Sequence, residues 1–307
     1  MFDFEIRERD DENEGSKNYQ SIYHGYPIME YWDSEFFELV KALYKPGDRI
    51  LDLGCGPGSL WPYWNKLSEV GQLVGVDLSD GMISEAQKAY PDGEFKVGRA
   101  HEIPYPSGSF DIVIASSVLH HIPDSHLDGA LGEIVRVMDE HGVLVGREPI
   151  NAEGQFGTKP GWLSGALMNF RHLVYRLTNS RESVEPELGD HHHTYDSKIF
   201  LDELAKNLHL DAYFKRFPVS NYVARVKDAR IAGILKKLDE LLKGEAGSMF
   251  YYSASKNFAE AKDVSNCVDR ELEQQGSNPD KDKEFLAYLK VAAIEIEKHL
   301  SKENRRG

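Results

Sequence analysis

The stretch Ile50-Leu51-Asp52-Leu53-Gly54-Cys55-Gly56-Pro57-Gly58 is an apolar run that ends in a turn holding three glycines. Glycines at alternate positions let a backbone turn sharply and come close to a ligand, because no Cβ stands in the way. A helix is expected from about Ser59, and a helix N-terminus offers unpaired N–H donors to an anionic group. Two acids bracket the turn: Asp52 stands just before Gly54, and Asp77 ends the next apolar run, Val74-Gly75-Val76. An acid at such a strand end can grip both hydroxyls of a ribose.

A second set of residues suits proton transfer. Ser116 and Ser117 end the run Phe110 to Ala115, and His120-His121 follow in a loop bounded by Pro123. An imidazole titrates near neutrality, so either histidine could take a proton from a hydroxyl as it attacks. Local packing or capping is the competing role for at least one of them, His121 before His120. A third cluster, Asp190-His191-His192-His193-Thr194-Tyr195-Asp196, has adjacent histidines that project in different directions. That suits a metal less well than an i, i+4 pair on a helix, and no metal site is assigned. A single base from this run remains a candidate.

Composition narrows the partners. The 307 residues carry a formal charge of −15, a mean field that repels a phosphate backbone, so nucleic acid is disfavoured. Two cysteines, Cys55 and Cys267, are too few for a disulfide framework and are expected as free thiols. No apolar stretch is long enough to span a bilayer. The acid-rich start is the opposite of a signal-peptide n-region, which leads to the expectation of a cytoplasmic protein.

The spacing G-x-G-x-G brings the third glycine one position earlier than in a dinucleotide fingerprint. Asp52 beside the turn would repel a pyrophosphate and attract an ammonium or a sulfonium. S-adenosylmethionine (SAM) carries both cations, a carboxylate for the helix donors and a ribose for Asp77. Ile50 to Gly58, Val74 to Ser79, and Phe110-Asp111-Ile112-Val113-Ile114 running into Leu119-His120-His121-Ile122-Pro123-Asp124 resemble, in that order, a class I SAM-dependent methyltransferase. Within that class the chain is similar to small-molecule enzymes with an FDxVxxxxxLHH signature, and the resemblance covers about residues 45 to 150.

The resemblance implies cofactor contacts from Asp52, Gly54, Gly56, Gly58, Asp77, Leu78, Met82, Arg99, Ala100, His101 and Ser116, with His120 or His121 as the base. Members usually carry an acid after Gly98 to accept a hydrogen bond from the adenine amino group. Arg99 stands there and cannot accept, so backbone near Ala100, His101 or Glu102 must serve. The implied reaction moves a methyl group to an oxygen or nitrogen of a small molecule and leaves S-adenosylhomocysteine. The alternatives are a SAM-binding sensor or partner subunit without catalysis and, against the charge of Asp52, a nucleotide-dependent oxidoreductase.

Positioning these residues falls to alternating strands and helices. Strands are predicted at 49–53, 72–77, 94–97, 110–115 and 142–148, with helices from Ser59, at 80–90 and at 125–138. That order predicts a doubly wound α/β sheet with ligands outside the carboxyl ends of its strands. A helix at 197–207, strands 209–217 and 249–255 and a helix near 228–243 complete it. The resemblance implies a seven-stranded, mostly parallel, Rossmann-like sheet whose last two strands form an antiparallel hairpin.

The expected organisation is residues 1–44 as an N-terminal segment with a cofactor-covering helix, 45–150 as the SAM-binding core and 151–196 as an inserted helical cap. Residues 197–256 complete the sheet and 257–307 form a helical extension. Met1 to Ser16 lacks an apolar period and reads as a loosely attached start, whereas Ile28 to Tyr44 reads as the amphipathic helix over the cofactor. Any of Tyr19, Tyr23 or Tyr26 could close over the methionine end. Leu286, Leu289, Ala293, Ile296 and Leu300 form an apolar seam that packs on its own domain or joins two copies as a homodimer.

Overall fold

The computed structural model describes residues 1–23, 26–149, 165–166, 169–170, 172–174, 197–216, 226–241, 249–256, 287–296 and 298. Seven strands form one sheet: β1 (Arg49–Leu53), β2 (Gln72–Asp77), β3 (Glu94–Val97), β4 (Phe110–Ser116), β5 (Met138–Pro149), β6 (His209–Arg216) and β7 (Met249–Ser255). Their order is β3-β2-β1-β4-β5-β7-β6. The first five run parallel, and β7 lies antiparallel between β5 and β6. The predicted doubly wound, mostly parallel sheet is therefore the observed one.

Both faces are covered, which is why the strands read as nearly unbroken apolar runs. Leu51, Leu53, Val74, Val76 and Val113 pack on one side with α5 (Asp124–Val137) and α6 (Ser197–Asn207). Ile50, Ile112 and Ile114 pack on the other with α2 (Pro27–Leu43), α3 (Trp61–Trp64) and α4 (Asp80–Ala89). The pleat sends successive side chains to opposite faces, so the central strands β1, β4, β5 and β7 supply both cores.

A third apolar core gathers Ile28 of α2, Leu235 and Leu238 of α7 (Ala229–Leu241), and Leu289, Ala292 and Ile296 of the helical residues 287–296. The described part of the expected seam is thus buried within its own chain. Val291 and Ile294 of the same helix are exposed. Phe170 and Val174 join this core from the expected cap. Most of that cap, including His191, His192 and His193, lies outside the described residues, as do Cys267, the other residues of 257–286 and the side chains of Tyr19 and Tyr23.

The start of the chain departs from expectation. Asp3–Tyr23 is a helix, α1, with Glu5 and Ser16 buried. It is held by polar contacts where an apolar period would have been sought. Asn13 Oδ1 accepts from Ser79 Oγ at 2.6 Å and from the Gly81 N–H at 2.9 Å, and Asn13 Nδ2 donates to Asp80 at 2.9 Å. Ser79 itself caps α4 by accepting the Met82 N–H. One asparagine thereby fastens α1 to the entry of α4.

Candidate active site

The C-terminal ends of β1 to β4 open into one cavity. Gly54, Gly56, Asp77, Leu78, Met82, Arg99, Ala100, His101, Ser116 and His121 line it. Asp52, Gly58 and His120 of the expected site lie outside that lining. The remaining wall is α1, not α2: Phe4, Glu5, Glu8 and Glu12 face inward from successive turns.

The glycines divide their tasks. Gly54 and Gly56 have φ of 68° and 52°, a region that L side chains rarely adopt. A Cβ at Gly54 would come within 2.2 Å of Val118 Cγ2, whereas one at Gly56 would meet nothing within 4 Å. Gly54 therefore permits packing, and Gly56 keeps a space open. Gly58 lies against Tyr90, which a Cβ would approach to 2.8 Å.

The turn spends its own donors. The N–H groups of Gly54 and Cys55 donate to the Val76 carbonyl, and that of Gly58 donates to Cys55. The helix expected from Ser59 is a single turn, Trp61–Trp64, with a proline in its first turn. Beyond it Lys66 and Leu67 donate to Tyr63 and Trp64, i→i+3 bonds that end the α pattern. An anion therefore finds no long helix aimed at it here.

Asp52 lies beneath the turn, 2% exposed, with Trp64 Nε1 donating to its Oδ2 at 3.0 Å. Burial pushes its carboxyl up to about 7, the Trp64 bond opposing and Asp77 reinforcing the shift. Asp77 faces the cavity. Its two oxygens accept the Gly56 N–H at 2.8 Å and the Ser79 N–H at 2.9 Å, so one carboxylate joins the glycine turn to α4. Burial raises its pKa too, and those two donors, then His121, pull it back.

After β3 the polar groups turn toward α1. Arg99 pairs with Glu5 at 3.1 Å and with Glu102. His101 Nδ1 is 3.1 Å from Glu5, and its Nε2 is 3.0 Å from the His126 carbonyl. Both His101 nitrogens are thus engaged within the chain. Among the expected acceptors for an adenine amino group, Ala100 remains as cavity-lining backbone.

After β4 the chain turns at Ser117, a non-glycine with φ of 58°. Arg147 holds that turn: its Nε donates to Ser116 Oγ at 2.8 Å, and its Nη2 meets Asp33 at 2.6 Å. Glu148 holds the next one. Its buried carboxylate accepts the N–H groups of Val118, Leu119 and His120 and stands 2.7 Å from His120 Nδ1. Burial lifts it to about 7 against those donors.

His120 is therefore drawn inward, and the 3₁₀ turn Leu119–His121 delivers His121 to the cavity. The order favoured from sequence is reversed. His121 Nδ1 stands 2.8 Å from Glu8 Oε1. Burial disfavours the imidazolium, but Glu8, Glu12 and Glu148 outweigh it and raise the pKa above that of a free histidine. Glu12 is pushed up to about 7, first by burial and then by Asp77.

Sequence reasoning missed Glu5, Glu8, Glu12, Asn13 and Glu148. The acids of α1 carried one signal, their i, i+3, i+7 spacing, which places them on one helical face. Among the described residues, no group of three or more His, Cys, Asp or Glu is arranged to hold a metal ion. No described helix is long and apolar enough to cross a membrane.

Residues 51–146 match a family model described as a methyltransferase domain. The malonyl-[acyl-carrier protein] O-methyltransferase of Legionella pneumophila is 35% identical over 115 residues, 36% of this chain and 40% of that protein. Aklanonic acid methyltransferase of Streptomyces sp. (strain C5) is 32% identical over 120 residues, 37% of this chain and 54% of that protein. The chain spans about half or less of the length of the curated relatives it matches. A solved SAM-dependent methyltransferase of Thermotoga maritima, described as a possible histamine N-methyltransferase, has a TM-score of 0.51 at 16% identity. That likeness covers 80% of this chain and 98% of that one, and it is a likeness of fold.

Proposed function

We propose that the chain, whose residues 51–146 match a methyltransferase domain, is a class I SAM-dependent enzyme that moves a methyl group from SAM to an oxygen or nitrogen of a small molecule. The observation that carries this reading is the Asp77 carboxylate bonded to the Gly56 and Ser79 N–H groups at the mouth of the glycine turn. The fit rests on the space at Gly56, where a side chain would stand in the cavity. When bound, SAM supplies a methyl group activated by a sulfonium.

Asp77 accepts the ribose hydroxyls, and Leu78, Met82 and Ala100 form apolar walls for the adenine. Gly54, Gly56 and Ser116 border the methionine end, while Asp52 and Gly58 support the turn from behind. Arg99 and His101 tie α1 down through Glu5. Phe4 and the rest of α1 exclude water, and a dry, fixed geometry is what methyl transfer chiefly requires. His121 takes the proton of the acceptor, and His120 on Glu148 sets the turn that presents it.

The relatives named as methyltransferases of malonyl-carrier protein and aklanonic acid favour an acceptor outside nucleic acid, as does the charge of −15. Self-association through residues 287–296 would use the outward Val291 and Ile294. Calorimetric titration with SAM tests the reading. The expected result is saturable binding that Asp77→Ala abolishes, and no heat of binding with the unaltered chain rejects it. Labelled methyl transfer to a panel of hydroxyl and amine compounds then separates an enzyme from a binding protein.

A further inference from the structure

His121 receives its carboxylate partner from α1, as Arg99 and His101 do. Glu8 and His121 are 113 positions apart, on α1 and in the turn after β4, and both line the cavity. Their Oε1 and Nδ1 atoms stand 2.8 Å apart. A negative carboxylate this close to Nδ1 favours the tautomer protonated there, which leaves the lone pair of the neutral ring on Nε2. The charges facing this imidazole are Glu8 and Glu12 from α1, Glu148 from β5 and Asp77 from β2. The His120 ring is its neighbour within the turn, with centroids 4.0 Å apart.

We propose that Glu8 is the positioning residue of His121, so that docking of α1 over the cavity assembles the base as well as covering the site. The inference rests on the methyl-transfer reading above. In the proton step an O–H or N–H bond of the acceptor breaks and an Nε2–H bond forms. The electron pair stays on the acceptor atom as its nucleophile. The imidazolium left behind faces the Glu8 carboxylate, which opposes return of the proton while charge develops. Glu12 deepens the negative field without touching the ring, and Asn13 and Glu5 latch the helix that carries both acids.

A merely structural staple between α1 and the β4 turn would affect stability and leave the imidazole's protonation alone. The test is histidine side-chain NMR of the full chain with and without saturating S-adenosylhomocysteine, the His121 signal being assigned by its loss in His121→Asn. The expected result is a titration midpoint above that of a free histidine and an Nδ1–H tautomer. Glu8→Gln lowers the midpoint by about one unit or more, the usual effect of removing a close opposite charge. Glu12→Gln shifts the midpoint less and leaves the tautomer unchanged.

If Glu8→Gln does not fold, Glu8→Asp is read the same way, its shorter side chain loosening the pair and lowering the midpoint by a smaller amount. An unchanged midpoint and tautomer in a folded Glu8 variant overturns the inference while leaving the methyltransferase reading intact. Failure of S-adenosylhomocysteine to bind the unaltered chain, measured by calorimetry on the same sample, overturns both.

Discussion

Trp64 Nε1 donates to Asp52 Oδ2 at 3.0 Å, closing the base of the glycine turn from the far side of the cavity. The carboxyl it holds is buried and titrates at about 7 rather than near 4. Between those values the folded chain keeps a proton that the unfolded chain has released. Stability must therefore fall as pH rises through that window and level off above about 7. Asp52→Asn keeps an acceptor for Trp64 and removes the ionisation. Its thermal midpoint should exceed that of the unaltered chain at pH 8 and match it near pH 4, with a ceiling of about 4 kcal/mol from a gap of about three units. Scanning calorimetry across that range checks it, and a gain at pH 4 as large as at pH 8 would refute it.

Gly54 and Gly56 differ in what a methyl group would meet. Alanine at either carries the left-handed strain of about 1–2 kcal/mol. At Gly54 the clash with Val118 adds to it, so Gly54→Ala should lower the melting temperature further than Gly56→Ala. At Gly56 the methyl group projects into open cavity. Gly56→Ala should fold, yet bind SAM at least about tenfold more weakly, a loss of about 1.4 kcal/mol.

Glu148 is the common acceptor for three successive backbone N–H groups, and each buried donor left without a partner costs about 1–3 kcal/mol. Glu148→Ala should destabilise the chain by about 3 kcal/mol or more in urea unfolding. Glu148→Gln, which retains one carbonyl oxygen, should lose clearly less. Equal losses would mean that the charge and not the acceptor geometry matters.

Asn13→Ala removes three contacts that join α1 to α4. Amide exchange should quicken across α1 while β1 and β4 keep their protection, because the sheet does not depend on that helix. Unchanged exchange in α1 would place the latch at Glu5 instead.

The chain's own periodicity determined the sheet. Apolar runs of strand length, helical stretches between them and a breaker-rich turn are local patterns, and burial on both faces makes them legible without knowledge of what covers them. The glycine turn and Asp77 were legible for the same reason, since the turn needs glycine and the acid closes a strand. Tertiary structure decided the rest. Asp52 and Asp77 look alike as acids at strand ends, yet Trp64 turns one beneath the floor and leaves the other in the cavity. His120 and His121 are neighbours, yet Glu148, 28 positions from His120, draws one inward and presents the other. The helix α1 is held by polar groups at Arg99, His101, Ser79 and His121, contacts that leave no hydrophobic period. An acidic stretch reads as solvated until the basic and amide groups that meet it are brought alongside, and only folding brings them there.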